Sequence, residues 1–97
     1  MELEFRHRRL RVAYENEREA IRLWGLGAGK RYGDLLETIE EAKEWTVLYT
    51  VRAMRLHPLH GNRAGQFAIA LTGRWRLILS VRDNVVIVEE VTRHYDD

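Results

Sequence analysis

From Phe67 to Val91 apolar residues recur at alternate positions: Phe67, Ile69 and Leu71, then Leu77, Leu79 and Val81, then a β-branched run from Val85. A period of two puts successive side chains on opposite faces of a strand, so the three runs read as strands with one apolar face. Thr72-Gly73 and Arg82-Asp83-Asn84 separate them, and both are hairpin connections by composition. Met54-Arg55-Leu56, which stops before Pro58, reads as a further short strand, and Leu3-Glu4-Phe5 as a first one. A sheet with one apolar face needs a second layer to cover it.

The N-terminal half supplies that layer. Leu10, Tyr14, Ile21 and Trp24 fall on one helical face, with Glu17 filling the gap. Gly25, Gly27 and Gly29 then interrupt, since glycine is a poor interior helix residue. A second helical face follows in Ala28, Tyr32, Leu35, Ile39 and Ala42, with Leu36 beside it, and ends near Trp45. The predicted order is β-α-α-β-β-β-β: an α+β fold with two N-terminal helices packed on one face of a small, mostly antiparallel sheet. At 97 residues, one domain spanning 1–97 is the natural expectation. The run Gly25-Leu26-Gly27-Ala28-Gly29-Lys30 reads as an interhelical turn, because the strand that precedes a phosphate-binding loop is missing.

Composition narrows the chemistry. Without cysteine there is no disulfide, no thiolate metal site and no Cys nucleophile. The histidines lack metal-ligand spacing, so neither metal nor cofactor is expected. No apolar run approaches the ~20 residues that span a bilayer, and Met1-Glu2-Leu3-Glu4-Phe5 does not read as a signal peptide. The expectation is a cytoplasmic protein with no membrane partner.

The net charge of +1 conceals a segregation. Val51 to Arg82 holds six arginines and no acid, whereas Glu15 to Glu44 holds eight acids and five bases. If Leu77 and Leu79 face the core, then Arg76, Ile78 and Ser80 face away, and so do Ala68 and Ala70 on the preceding strand. Small alanines beside forked arginine donors make a floor suited to a phosphate backbone; the same arginines read equally as a solvated face. The loop from His57 to Gln66 borders this surface. There His60 can transfer a proton near neutral pH and Arg63 can hold a phosphate, or the loop is an ordinary turn. The C-terminal Thr92-Arg93-His94-Tyr95-Asp96-Asp97 carries a His–Tyr pair of the kind that general acid–base cleavage of RNA needs, or is a polar tail. Trp24, Trp45 and the helix tyrosines read as core, and so does Trp75, although it begins a strand beside the arginines.

Three motifs in order carry a family resemblance. Arg55 to Ala68 contains His57-Pro58-Leu59-His60-Gly61-Asn62-Arg63, and Gly73-Arg74-Trp75-Arg76-Leu77-Ile78 follows. Glu89-Glu90-Val91-Thr92-Arg93-His94-Tyr95 comes last. Together they resemble the HigB-like toxins of the RelE/ParE toxin–antitoxin superfamily, the plasmid maintenance system killer proteins. The resemblance is clear from Met54 to Asp97 and rests on pattern alone in the helical half.

It implies a compact RelE-like fold and ribosome-dependent, metal-independent cleavage of mRNA. It also implies neutralisation by a cognate helix-turn-helix antitoxin, with operator DNA contacted only through that antitoxin. By position, Arg76 matches the strand arginine at the scissile phosphate, and His94 the histidine of proton transfer. His60 takes the place of a catalytic lysine, and Tyr95 follows His94. Arg63, Arg74, Arg55 and Arg93 are the remaining candidate RNA contacts. Ala68 and Ala70 stand where some relatives carry lysine or arginine, and Arg93 falls where a tyrosine aligns. The alternative is a ParE-like toxin or RNA-binding protein that uses the same basic face without cleaving.

Overall fold

The computed structural model describes residues 1–93. The order of elements is β1 (Glu2–Phe5), α1 (Arg8–Glu15), α2 (Glu17–Trp24), α3 (Leu26–Glu41), α4 (Trp45–Leu48), β2 (His57–Pro58), β3 (Gln66–Ala70), β4 (Trp75–Arg82) and β5 (Val85–Arg93). Two 3-10 turns, Arg52–Met54 and Gly61–Arg63, flank β2. The fold is α+β, as the alternating and helical periods predict.

The first predicted helix is two. Asn16 adopts extended backbone (φ −138°, ψ 100°), and its side chain accepts the Arg18 N–H at 3.1 Å, capping α2. That bond satisfies one of the orphan donors of a helix start. Glu17 and Glu19 occupy the first turn of α2, where the helix dipole favours anions, and Arg22 in the last turn pairs with Glu19. The apolar spacing survives the break, which is why the sequence read as one helix.

Of the three glycines expected to interrupt, only Gly25 does so. It is the single residue between α2 and α3, with φ +90°. Gly27 and Gly29 lie inside α3. Gly29 is there for contact: a Cβ on it would stand 2.6 Å from the backbone nitrogen of Ile21. The two helices therefore pack backbone against backbone at this point.

Five strands form one sheet in the order β1-β5-β4-β3-β2. β1 runs parallel to β5, Glu2 opposite Val85 through Phe5 opposite Val88, and every other pairing is antiparallel. Asp83 and Asn84 both have positive φ, the geometry of the tight primed turns that match strand twist, and they join β4 to β5. Met54-Arg55-Leu56 is not a strand. Met54 closes a 3-10 turn and Arg55 is left-handed at φ +50°, so extended pairing begins only at His57.

The core lies between the helices and one face of the sheet. Leu10 and Ala13 from α1, Ala20 from α2, and Tyr32, Leu36 and Ile39 from α3 pack with Ile69, Leu77, Leu79, Val86 and Val88. Fully burying each large aliphatic side chain contributes about 1.5–3 kcal/mol. The Tyr32 hydroxyl donates to the Leu10 carbonyl oxygen at 2.7 Å, tying α3 to α1 inside the core. The Met1 ammonium donates to the carbonyl oxygens of Glu40 and Ala42, a cation where the dipole of α3 favours one. Among the described residues no helix is long and apolar enough to cross a membrane.

Candidate functional site

The sheet face away from the helices is built in rows by the strand register. Ala70, Arg76 and Thr92 form one row, Ala68, Ile78 and Glu90 the next, and Gln66, Ser80 and Ile87 a third. His57 continues the second row beside Ala68. Arg76 lies on this face because Trp75 and Leu77, its neighbours in β4, belong to the core side.

The register slips between Ile78 and Leu79, which oppose Glu90 and Val88, so Glu89 is the extra residue of a β-bulge. The bulge delivers two adjacent carboxylates to one face. Glu89 is only 9% exposed and accepts from Ser80 Oγ at 2.6 Å. It also accepts from Arg6 Nε at 2.9 Å and Arg6 Nη2 at 3.2 Å. Glu90 accepts from Arg63 Nη2 at 3.0 Å, while Arg63 Nη1 donates to Gln66 Oε1 at 3.0 Å. Both partners of the Arg63–Glu90 pair are exposed, so water and salt screen it.

These contacts change the expected surface. A uniformly basic face with an open alanine floor is not what forms. Ala68 is 0% exposed and Ile78 3%, although neither belongs to the core cluster. The Arg63 side chain reaches from the turn before β3 to Glu90 on β5, and so spans the row that Ala68 and Ile78 occupy. Ala70, in the Arg76 row, remains exposed. Charge on this face is paired in the middle, with arginines arriving from both sides.

The predicted site residues fall in several places. Arg76 is half-buried between Ala70 and Thr92. Arg74 is exposed in the turn before β4, where Thr72 Oγ1 accepts the N–H groups of residues 74 and 75. Arg55 is exposed at its left-handed position. His60 is exposed and begins the 3-10 turn that carries Arg63; with His57, Pro58, Leu59 and Asn62 they line a groove of about 520 Å³. Arg93 is not brought to Arg76: it pairs in register with Trp75 and sits 5.5 Å from that ring, on the helix side of the sheet. Trp75 thus packs, with Arg93 over it. His94 and Tyr95 lie outside the described residues.

Arg6, Glu89, Ser80 and Gln66 are parts of this surface that are not among the candidate site residues, although Glu89 and Gln66 fall within the motifs. Two adjacent acids inside an otherwise apolar strand are the available signal for the bulge. Arg6 has none, because its partner is 83 residues away in sequence.

The structure thus defines an α+β fold with helices on one side of a mixed sheet and a polar, partly charge-paired surface on the other. No family model matches the sequence, and no curated protein matches it. Solved structures match over almost the whole chain. A YoeB/ParE toxin from Agrobacterium tumefaciens is 18% identical with a TM-score of 0.63, over 98% of this chain and 100% of that one. A YafQ variant from E. coli is 15% identical with a TM-score of 0.66, over 96% and 92%. The structure of a YoeB–YefM complex from Staphylococcus aureus is 18% identical with a TM-score of 0.62, over 98% of each chain. At such identities the likeness is one of fold. The chain shares the fold of these YoeB/ParE and YafQ proteins, in line with the α+β architecture that the sequence predicts.

Proposed function

We propose that residues 1–97 are one toxin domain of a type II toxin–antitoxin pair, HigB-like in its motifs, that cleaves mRNA on the ribosome in the cytoplasm. The observation that carries this reading is the position of Arg76. It stands on the sheet face opposite the helices, half-buried, with the small Ala70 on one side and Thr92 on the other. A guanidinium held there offers a planar fork to a phosphate that approaches over alanine.

Cleavage of RNA through its own 2′-hydroxyl has three requirements. A base takes the 2′-hydroxyl proton as that oxygen attacks phosphorus, and a cation stabilises the crowded phosphorane. An acid then gives a proton to the departing 5′-oxygen, leaving a 2′,3′-cyclic phosphate and a 5′-hydroxyl. Arg76 is the proposed cation. His94, with Tyr95 beside it, follows Thr92, the register partner of Arg76, by two residues in sequence, and is the proposed proton-transfer group. His60 is a second proton carrier at the loop, and Arg63, Arg74 and Arg55 are proposed to guide the RNA backbone. Arg93, which lies over Trp75 on the helix side of the sheet, is left out of this surface.

A protein that arrests growth this way needs a neutralising partner. The toxin fold is shared with the YoeB–YefM complex, which supports a cognate antitoxin here, with a helix-turn-helix antitoxin proposed from the HigB-like motifs. The second reading, a toxin that binds through the same face without cutting, draws on the pairing of Arg63 by Glu90 and Gln66. Incubation of the purified chain with mRNA-programmed ribosomes, followed by primer extension, separates the two. New stops within the decoded message support cleavage. Blocked translation with an intact message supports the second reading and overturns the first.

A further inference from the structure

We propose that Arg6 is an RNA-phosphate contact and that Glu89 is its positioning residue. This rests on reading the open sheet face as the surface that meets RNA.

The asymmetry of the pair carries the argument. Glu89 is 9% exposed, whereas Arg6 is 56% exposed. A buried carboxylate is costly unless paired and hydrogen-bonded, and this one is satisfied three times: by Arg6 Nε, by Arg6 Nη2 and by Ser80 Oγ. The acid is thus fixed from below by Ser80 and grips the guanidinium at two nitrogens. A guanidinium has five N–H donors, and Glu89 takes two of them. Among the described residues nothing accepts from Nη1. The remaining donors point away from Glu89, on a half-exposed group whose plane is already set, which lowers the ordering cost of gripping a phosphate.

Continuity with the proposed site supports the same assignment. The Arg6 N–H still bonds the Val88 carbonyl oxygen at 2.9 Å, so the residue is held at the end of the β1–β5 ladder. Arg6 follows Phe5, the register partner of Val88, and so lies level with the bulge on the far side of β5 from β4. Thr92, the partner of Arg76, stands three residues along β5 from Glu89, about 10 Å at 3.3 Å per residue, a length that holds about three phosphates of a stacked strand. A short single-stranded segment laid obliquely across β5 therefore reaches from Arg76 to Arg6.

The test is a fluorescence-anisotropy titration of the full chain with oligouridine over a series of salt concentrations. Glu89→Gln removes a negative charge from the surface. If Glu89 merely repelled RNA, this variant would bind more tightly. The positioning role predicts the opposite sign: about tenfold weaker binding, the size of one charge-assisted contact. Arg6→Ala should weaken binding equally and flatten the slope of log affinity against log salt by about 0.7, one phosphate on a single strand. Arg6→Lys should keep the slope and lose affinity. Glu89→Gln added to Arg6→Ala should do nothing more, as a shared interaction requires. Unchanged or tighter binding by Glu89→Gln, or wild-type affinity for the exposed Arg6→Ala variant, overturns the proposal. Arg76→Ala, titrated in parallel, keeps the two readings apart. If it alone loses affinity, the open face stands and Arg6 falls; if the unmutated chain does not bind, both fall.

Discussion

Arg63 and Glu90 meet across the open sheet face, Nη2 of the arginine donating to Oε2 of the glutamate at 3.0 Å. One comes from the turn before β3 and the other from the bulge of β5, so the contact links the loop to the far side of the sheet. Both side chains are a little under half exposed, and pairs so open to water contribute about 0–1 kcal/mol. Arg63→Ala should therefore lower the unfolding free energy, read from urea denaturation, by less than about 1 kcal/mol while weakening RNA binding. A larger loss of stability would mean that the arginine chiefly holds down the loop.

The backbone contact between α2 and α3 gives a prediction with opposite signs at two glycines. Gly29→Ala places a methyl 2.6 Å from the Ile21 nitrogen, which must move the helices apart. It should cost about 1–3 kcal/mol, the usual range for overpacking. Gly33 lies in the same helix with nothing within 4 Å of its would-be Cβ. Gly33→Ala should stabilise by about 0.5–1 kcal/mol, through helix propensity alone. Thermal melts of the two variants check both.

Two tyrosines predict how stability falls in alkali. Burial raises the Tyr14 hydroxyl pKa, helped by its hydrogen bond to Glu40 at 2.5 Å and by the charges of Glu40, Glu37 and Glu41. Burial likewise raises Tyr32, with Tyr14 adding to it. In the unfolded chain both ionise near pH 10. Above that pH the unfolded state gives up protons that the folded state keeps, so it binds fewer and stability declines as pH rises. Below about pH 10 this contribution is fully present. Denaturation midpoints between pH 8 and 11 should drop more steeply for the wild type than for a Tyr14→Phe, Tyr32→Phe variant, at pH values of the order where tyrosine titrates. Equal slopes would contradict the assignment. At neutral pH, Tyr32→Phe should itself cost about 1 kcal/mol for the lost bond to Leu10.

The strands were legible where local chemistry sets them. The alternation in Phe67–Leu71 and Trp75–Val81 and the Asp83-Asn84 turn placed β3, β4 and β5, because period and turn type act over a few residues. The break at Asn16 was hidden, since Leu10, Tyr14, Ile21 and Trp24 keep a helical spacing on both sides of it. β2 was misplaced because Met54 and Leu56 look like strand residues, while the left-handed Arg55 follows from how the segment packs. At the site, Arg76 was legible from its place between Trp75 and Leu77. The Glu89 bulge and its hold on Arg6 were not, since register and a contact over 83 residues are tertiary facts. The buried state of Ala68 and Ile78 escaped for the same reason: what covers them comes from another segment.

The central claim is that the face bearing Arg76 acts on the RNA backbone. It is tested most directly by sequencing mRNA 5′ ends after induction of the wild type, Arg76→Ala and His94→Ala in a bacterial host, with circular dichroism of each purified chain as a check of folding. The account predicts growth arrest with new 5′-hydroxyl ends inside translated messages for the wild type. It predicts about 10²-fold or more fewer such ends for each folded variant, as expected when a group acting in the transition state is removed. Arrest without new ends, or undiminished cleavage by a folded Arg76→Ala chain, would contradict it.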